Sequence, residues 1–453
     1  MDAINSQYAT KLRYVLDFFL LIIFVTSSFD IILNIKISGF SIRICTLLMV
    51  VFSAIVLGLS MLKSYKIKIR LLGFWSFLIW LLFLLFFISN SILISRGVGY
   101  MIWLLIFFGF IIALTQYIID LHHFQKILIL YINSFTFIGV YGLIQWCLTV
   151  AGIDAHILFF FNSGIPRLHG FSYEPSYFST YLFVPWSFHF LLFFSDLQSF
   201  KKKVLNTFSL LILTLVLFMS FSRMGILAMI LLAISQAIYA FKRVVFYQKI
   251  KKRELLFICF FVILVIFILI FALLNFNKFI SIFEGLPILS KYWHSATIRM
   301  ADLNNTWMIF AKSPFVGYSL GGVAPAIAHL KGYTQITQEL VKNTEGMCIF
   351  LEVLAASGII GFFFFMLFVI RLLRSSNILK KLLNNNINIL NMQLFSIHKI
   401  LLLALIFQFL LLCLNQNILR NYLWIHIAIV NLSFFVVKDQ IKASSNSDGR
   451  QSI

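Results

Sequence analysis

Residues 204–241 read VLNTFSLLILTLVLFMSFSRMGILAMILLAISQAIYAF. Two apolar runs of 18 residues, 204–221 and 224–241, are separated only by Ser222 and Arg223. A spanning helix needs about 20 mostly apolar residues, because the hydrocarbon core is about 30 Å thick and a helix rises about 1.5 Å per residue. The pair therefore reads as two membrane helices joined by a very tight turn. An arginine held between two such runs is costly and needs a reason to be there.

The same pattern extends in both directions. Further apolar spans fall near 14–34, 41–62, 71–94, 100–119, 126–150, 174–195, 255–275, 346–370, 400–418 and 422–437, which makes twelve in all. The expected fold is all-α and polytopic. The expected organisation is nine spans over 1–275, a large external loop over 276–345, three spans over 346–437 and a short polar tail over 438–453. Composition agrees. The 453 residues are 61% hydrophobic and only 11% charged, against about 25% charged in soluble domains. A soluble, disordered or nucleic-acid-binding chain is excluded. The five cysteines all sit in or beside apolar runs without CxxC spacing, which excludes a disulfide scaffold.

The net charge of +21 belongs to loops. With the N-terminus placed in the cytoplasm, 24 of the 36 Lys and Arg fall on the cytoplasmic side, including Lys201-Lys202-Lys203 and Lys249 to Arg253. That asymmetry predicts both termini inside and an even number of spans. The 70-residue loop 276–345 retains Tyr292, Trp293, Trp307, Phe310 and Phe315. These aromatics predict a folded cap at the membrane surface.

Four clusters on the external side carry chemistry. The first is Arg167-Leu168-His169-Gly170-Phe171-Ser172-Tyr173-Glu174-Pro175-Ser176. Pro175 suits the first turn of a helix, which puts Glu174 at its N-terminus, where negative charge is favoured. This run reads either as helix capping with an Arg–Glu pair or as an anion-binding arginine beside a candidate base. The second is Ser222-Arg223-Met224-Gly225, with Arg223 turned either to lipid headgroups or to an internal ligand phosphate. The third begins at Arg299 and continues through Asn304, Trp307 and Ser313-Pro314-Phe315-Val316-Gly317-Tyr318. The fourth is Asn343-Thr344-Glu345-Gly346, with Glu352 about two helical turns deeper. His189, His398 and His426 lie in or near spans and are expected to be satisfied by neighbours. No metal-binding motif and no Ser-His-Asp arrangement is present, so neither metal nor cofactor is expected.

These clusters, in this order, resemble bacterial O-antigen polymerases of the Wzy type. Gly170-Phe171 with Glu174-Pro175-Ser176 is similar to the polymerase motif. Ser222-Arg223-Met224-Gly225 resembles the Ser-Arg-x-Gly turn shared with O-antigen ligases. Arg299 and Pro314-Phe315-Val316-Gly317 resemble the start and middle of the family's large periplasmic loop, and Gly358-Ile359-Ile360-Gly361 its return helix. The resemblance implies a GT-C-like glycosyltransferase acting on an undecaprenyl-diphosphate-linked oligosaccharide, with a chain-length regulator and a flippase as partners beside membrane lipids. In that reading Arg167, Arg223 and Arg299 hold the diphosphate. Glu174 or Glu345 takes the acceptor proton, and His169, Tyr173, Asn304, Trp307 and Tyr318 contact sugar. The ligases carry a His near the end of the large loop, whereas Val341 to Gly346 contains none and His329 is the nearest upstream. This favours a polymerase over a ligase. A flippase or other transporter is the competing reading from another class, but its ionisable groups would lie near the midplane and its halves would repeat. Neither feature is found here.

Overall fold

The computed structural model describes residues 2–37, 40–62, 67–153, 158–160, 166–195, 200–247, 294–384, 388–414 and 418–448. The helices are α1 (Asp2–Thr26), α2 (Ile44–Leu62), α3 (Phe74–Phe86), α4 (Ile94–Tyr117), α5 (Leu121–Val150), α6 (Pro175–Phe193), α7 (Phe200–Met219) and α8 (Arg223–Tyr247), then α9 (His294–Lys312), α10 (Val323–Leu330), α11 (Ile349–Leu373), α12 (Ser375–Asn384), α13 (Ile389–Leu414) and α14 (Asn421–Asp448). Seven of these are long and apolar enough to cross a membrane: α2, α4, α5, α8, α11 continuing into α12, α13 and α14. The chain is thus an all-α polytopic membrane protein. Eleven of the twelve expected spans fall on helices, and 255–275 lies outside the described residues.

Two short antiparallel hairpins were not expected. One pairs Asn34–Ile37 with Phe40–Arg43, and the other pairs Leu158–Phe160 with Pro166–Leu168. The first ends the opening span early. α1 stops at Thr26 rather than near 34, because Asp30 leaves the helix to meet two arginines, Arg43 at 2.9 Å and Arg420 at 3.3 Å. A carboxylate in an apolar setting must find such partners or lose its charge.

α14 is the central post. Nine-tenths of its apolar window (89%) is buried, against 28% for peripheral α2. That position explains why α14 tolerates Asn421, His426, Asn431 and Ser433, all buried. His426 bonds Gln408 at 2.8 Å, His398 bonds Ser433 at 2.7 Å, and His189 bonds Asn206 at 2.7 Å. The outer helices do the reverse. On α7 and α8, Leu211, Phe218, Leu227, Ile230 and Ile238 are exposed. In water each would forfeit roughly 1.5–3 kcal/mol of burial, whereas lipid tails accept them.

The large glycine-containing loop and the return helix meet in one junction. α11 is broken at Gly358, which adopts φ 56°. The backbone groups freed by the break are taken up by the preceding loop. Ile359 N–H donates to Pro314 O at 2.7 Å, while Tyr318 and Ser319 N–H donate to Ala355 O and Ala356 O at 3.1 and 2.8 Å. A Cβ on Gly358 would lie 2.2 Å from the Phe315 carbonyl carbon, and one on Gly317 would lie 2.4 Å from that of Ala356. Broken helices are tolerated at membrane depth only where neighbours resatisfy the backbone in this way.

Candidate active site

The α7–α8 turn is the centre of the site. Phe221 carries it at φ 46°, an uncommon conformation for a residue with a Cβ. Ser222 then starts α8. Its hydroxyl receives Gly225 N–H at 3.4 Å and accepts a 2.7 Å bond from Ser179 Oγ on α6. Gly225 permits that closeness, since a Cβ there would stand 2.8 Å from Ser179 Cβ. The Ser-Arg-x-Gly pattern therefore has a structural meaning. Serine caps α8 and ties it to α6, glycine lets the two helices touch, and Arg223 is left exposed at the helix start.

Arg167 reaches the same turn from the second hairpin. Its Nε donates to Ser220 O at 3.3 Å and its Nη2 to Phe221 O at 3.0 Å. Arg299 arrives from α9, with Nη1 3.0 Å from the sulfur of Met224. The three arginines are thus gathered on one turn from segments far apart in the chain. Arg167 registers the consequence. Burial depresses its pKa first, the charge of Arg223 depresses it further, and Arg299 adds to this against the pull of Glu174. Such an assembly is suited to an anion carrying more than one charge, because guanidinium binds phosphate oxygens in a fixed fork and stays protonated.

Glu174 is the N-cap residue of α6, with Pro175 in the first turn. It is exposed and accepts a 3.0 Å bond from Ser176 Oγ. Tyr173 beside it is also exposed. His169 is not open to the site. It is buried, with Nδ1 donating to Ser172 O at 2.6 Å, and burial holds its pKa below the usual value. On α9, Asn304 and Trp307 are exposed, and Trp307 leans on Phe310 with ring centroids 5.2 Å apart. Tyr318 is half-buried in the loop–α11 junction.

Glu345 is held by a different arginine. Its carboxylate accepts from Arg96 Nη2 at 2.5 Å and from Tyr100 at 3.4 Å. The tenth expected span begins at Ile349, not at 346, so Glu345 precedes the helix and its seven-residue spacing to Glu352 is not a helical one. Glu352 nevertheless lies within electrostatic reach of the same Arg96. Among the described residues no group of three His, Cys, Asp or Glu could hold a metal ion.

Arg96 and Arg420 were not singled out in the sequence. Arg420 pairs with Asp30 and stacks over the Tyr177 ring, 3.8 Å from its centroid. Asp30 N–H and Ile31 N–H in turn donate to Phe171 O, at 2.9 and 3.1 Å, and hold the segment that leads to Glu174. One signal was available: each is a lone arginine at the start of an apolar run. Their partners lie 249 and 390 residues away, which only the fold reveals.

No curated protein matches the chain. Residues 208–366, the stretch that carries Arg223, Arg299 and the Gly358 junction, match the family model described as O-antigen ligase.

Proposed function

We propose that this chain is a membrane glycosyltransferase that polymerises lipid-diphosphate-linked oligosaccharide units into O-antigen or a related surface polysaccharide. The observation that carries the reading is the convergence of Arg167, Arg223 and Arg299 on the α7–α8 turn. The match of 208–366 to the O-antigen ligase family supports it. The donor is a glycan on undecaprenyl diphosphate, and the acceptor is the next lipid-linked unit. The acceptor hydroxyl attacks the anomeric carbon, and the bond from that carbon to the diphosphate oxygen breaks. The arginines stabilise the charge that develops on the departing diphosphate. Glu174, exposed beside them, takes the hydroxyl proton. Glu345 is the less available candidate, because Arg96 already holds its carboxylate.

A polymerase is favoured over a ligase by the loop end. Val341 to Gly346 offers no histidine, and His329 closes α10 instead, exposed. A flippase is disfavoured because the candidate site residues gather at one end of the bundle and no internal repeat is found in the sequence. The reaction is assigned to the periplasmic face of the inner membrane, with a chain-length regulator and a flippase as partners.

The test is the surface glycan profile, on a gel, of a deletion strain complemented with wild type or Arg223→Ala. Lipid A-core bearing a single repeat unit, restored to a ladder by wild type alone, is the expected result. Bare lipid A-core with polymer stranded on the carrier would make the protein a ligase. A ladder unchanged by the deletion would remove the chain from this pathway. Glu174→Gln is expected to abolish the ladder too, and full turnover in that variant would exclude Glu174 as the base.

A further inference from the structure

The opposite end of the bundle carries a second cluster of cations. α11 finishes with Arg371 and Arg374, and α12 follows directly at Ser375. α12 buries Leu379 and Leu383 against Leu394, Phe434, Val437 and Ile441. That packing leaves Asn377, Ile378, Lys380 and Lys381 exposed. Together with Arg371, Arg374 and Asn384 they line one cleft of about 520 Å³. Among the described residues no carboxylate pairs with any of its four cations. Asp439, on the stretch of α14 that α12 packs against, is taken by Arg70 at 2.9 Å.

Two explanations for such charge fall short. The C-terminal dipole of α11 favours Arg371 and that of α12 favours Lys381, but two separate helix ends do not require their cations to border one cleft. Membrane topology asks only that positive charge be on one side. It does not ask that four cations from two helices border the same cleft. A bound anion would give them a common partner.

The level of the cleft identifies the anion. α11 shows lipid-type surface at Ile359, Ile360 and Phe363, and its apolar stretch ends at Leu373. The cations begin there, which is headgroup depth. Ile378, more than a third exposed at 37%, supplies an apolar contact beside them. Two guanidiniums, two ammoniums and two amides around one apolar side chain fit a phosphodiester with an acyl chain next to it.

We propose that this cleft binds the headgroup of an anionic glycerophospholipid, with the phosphate held by Arg371, Arg374, Lys380 and Lys381 and an acyl chain against Ile378. The site is independent of the transferase reading and stands at the other end of the molecule.

Native mass spectrometry of the full-length protein tests it, with phosphatidylglycerol, phosphatidylcholine and inorganic phosphate titrated separately. A single phosphatidylglycerol adduct is expected, at least about tenfold tighter than phosphatidylcholine, the scale of one or two charge-assisted hydrogen bonds. Arg374→Gln with Lys381→Gln lowers that preference about tenfold. Arg374→Lys with Lys381→Arg keeps it, and Lys380→Gln alone gives a graded loss. The control Lys242→Gln with Arg243→Gln removes two charges elsewhere and leaves binding intact. The proposal is overturned if the neutralised variant and Lys380→Gln bind phosphatidylglycerol like wild type, or if the control loses as much as they do. It is equally overturned if inorganic phosphate binds as tightly as the lipid, which would mark a free-anion site.

Discussion

On the proposed transferase reading, a single guanidinium decides how the arginine turn works. Arg223 sits exposed at the first residue of α8, while Arg167 is anchored on backbone carbonyls and Arg299 on a sulfur. Lysine keeps the charge at 223 but not the two-pronged geometry. Arg223→Lys is therefore expected to reduce polymer formation by roughly 10²-fold, the usual scale for one lost charge-stabilising donor. Ladder densitometry checks this, and wild-type polymer would mean that charge alone suffices. His169 gives a second test at this scale. Its folded pKa is depressed, first by burial and then by Arg167, so folding favours the neutral ring. Above about pH 6.5 the ring is neutral folded or unfolded and contributes nothing to the pH dependence. As pH falls below that, the unfolded chain gains a proton that the folded protein resists, and stability drops by up to about 1.4 kcal/mol per pH unit. The melting temperature in detergent should fall more for wild type than for His169→Gln between pH 7.5 and 5.5. Equal slopes would refute the assignment. Arg167, Arg223 and Glu174 were legible because they interrupt apolar sequence beside turn residues. Asp30, Arg96 and Arg420 were not, because what satisfies a buried charge is set by packing between distant spans.

At the scale of elements, the apolar runs announced the helices and the breaks did not announce themselves. The Gly358-Ile359-Ile360-Gly361 stretch read as part of an uninterrupted span, since glycine inside an apolar run carries no sign of its φ. Its partner lies some 40 residues earlier, in Pro314 to Ser319. The two motifs are one joint. Gly358→Ala forces a Cβ to within 2.2 Å of the Phe315 carbonyl carbon at φ 56°. Overpacking and backbone strain together are expected to cost about 3 kcal/mol or more. Gly58→Ala is the control. It meets nothing within 4 Å, and alanine in a helix interior gains about 0.5–1 kcal/mol over glycine. Melting temperatures in detergent should therefore move in opposite directions. A Gly358→Ala protein as stable as wild type would mean that the loop does not hold the broken helix.

Across the whole molecule, two sets of charged residues occupy opposite ends. The arginine turn, Glu174, the Arg96–Glu345 pair and the Asp30 network occupy the end where α6, α8, α11 and α14 begin. Arg70, Arg371, Arg374, Lys380 and Lys381 occupy the other, where α3 and α5 begin and α11 ends. Gly73, whose Cβ position lies 3.3 Å from Arg371 Cβ, ties the start of α3 to that second end. On the proposed reading, the bias of basic residues puts this end in the cytoplasm. The prediction is directional, so it can be read with a membrane-impermeant maleimide on intact spheroplasts. Single cysteines are introduced at Tyr173 and at Lys380, both exposed, in a background lacking the five native cysteines. Tyr173→Cys should label from outside, whereas Lys380→Cys should label only after the membrane is opened. The reverse pattern would put the arginine turn in the cytoplasm. A transferase using glycans delivered to the outer face would then be impossible at this site, even though every distance around Arg223 stayed the same.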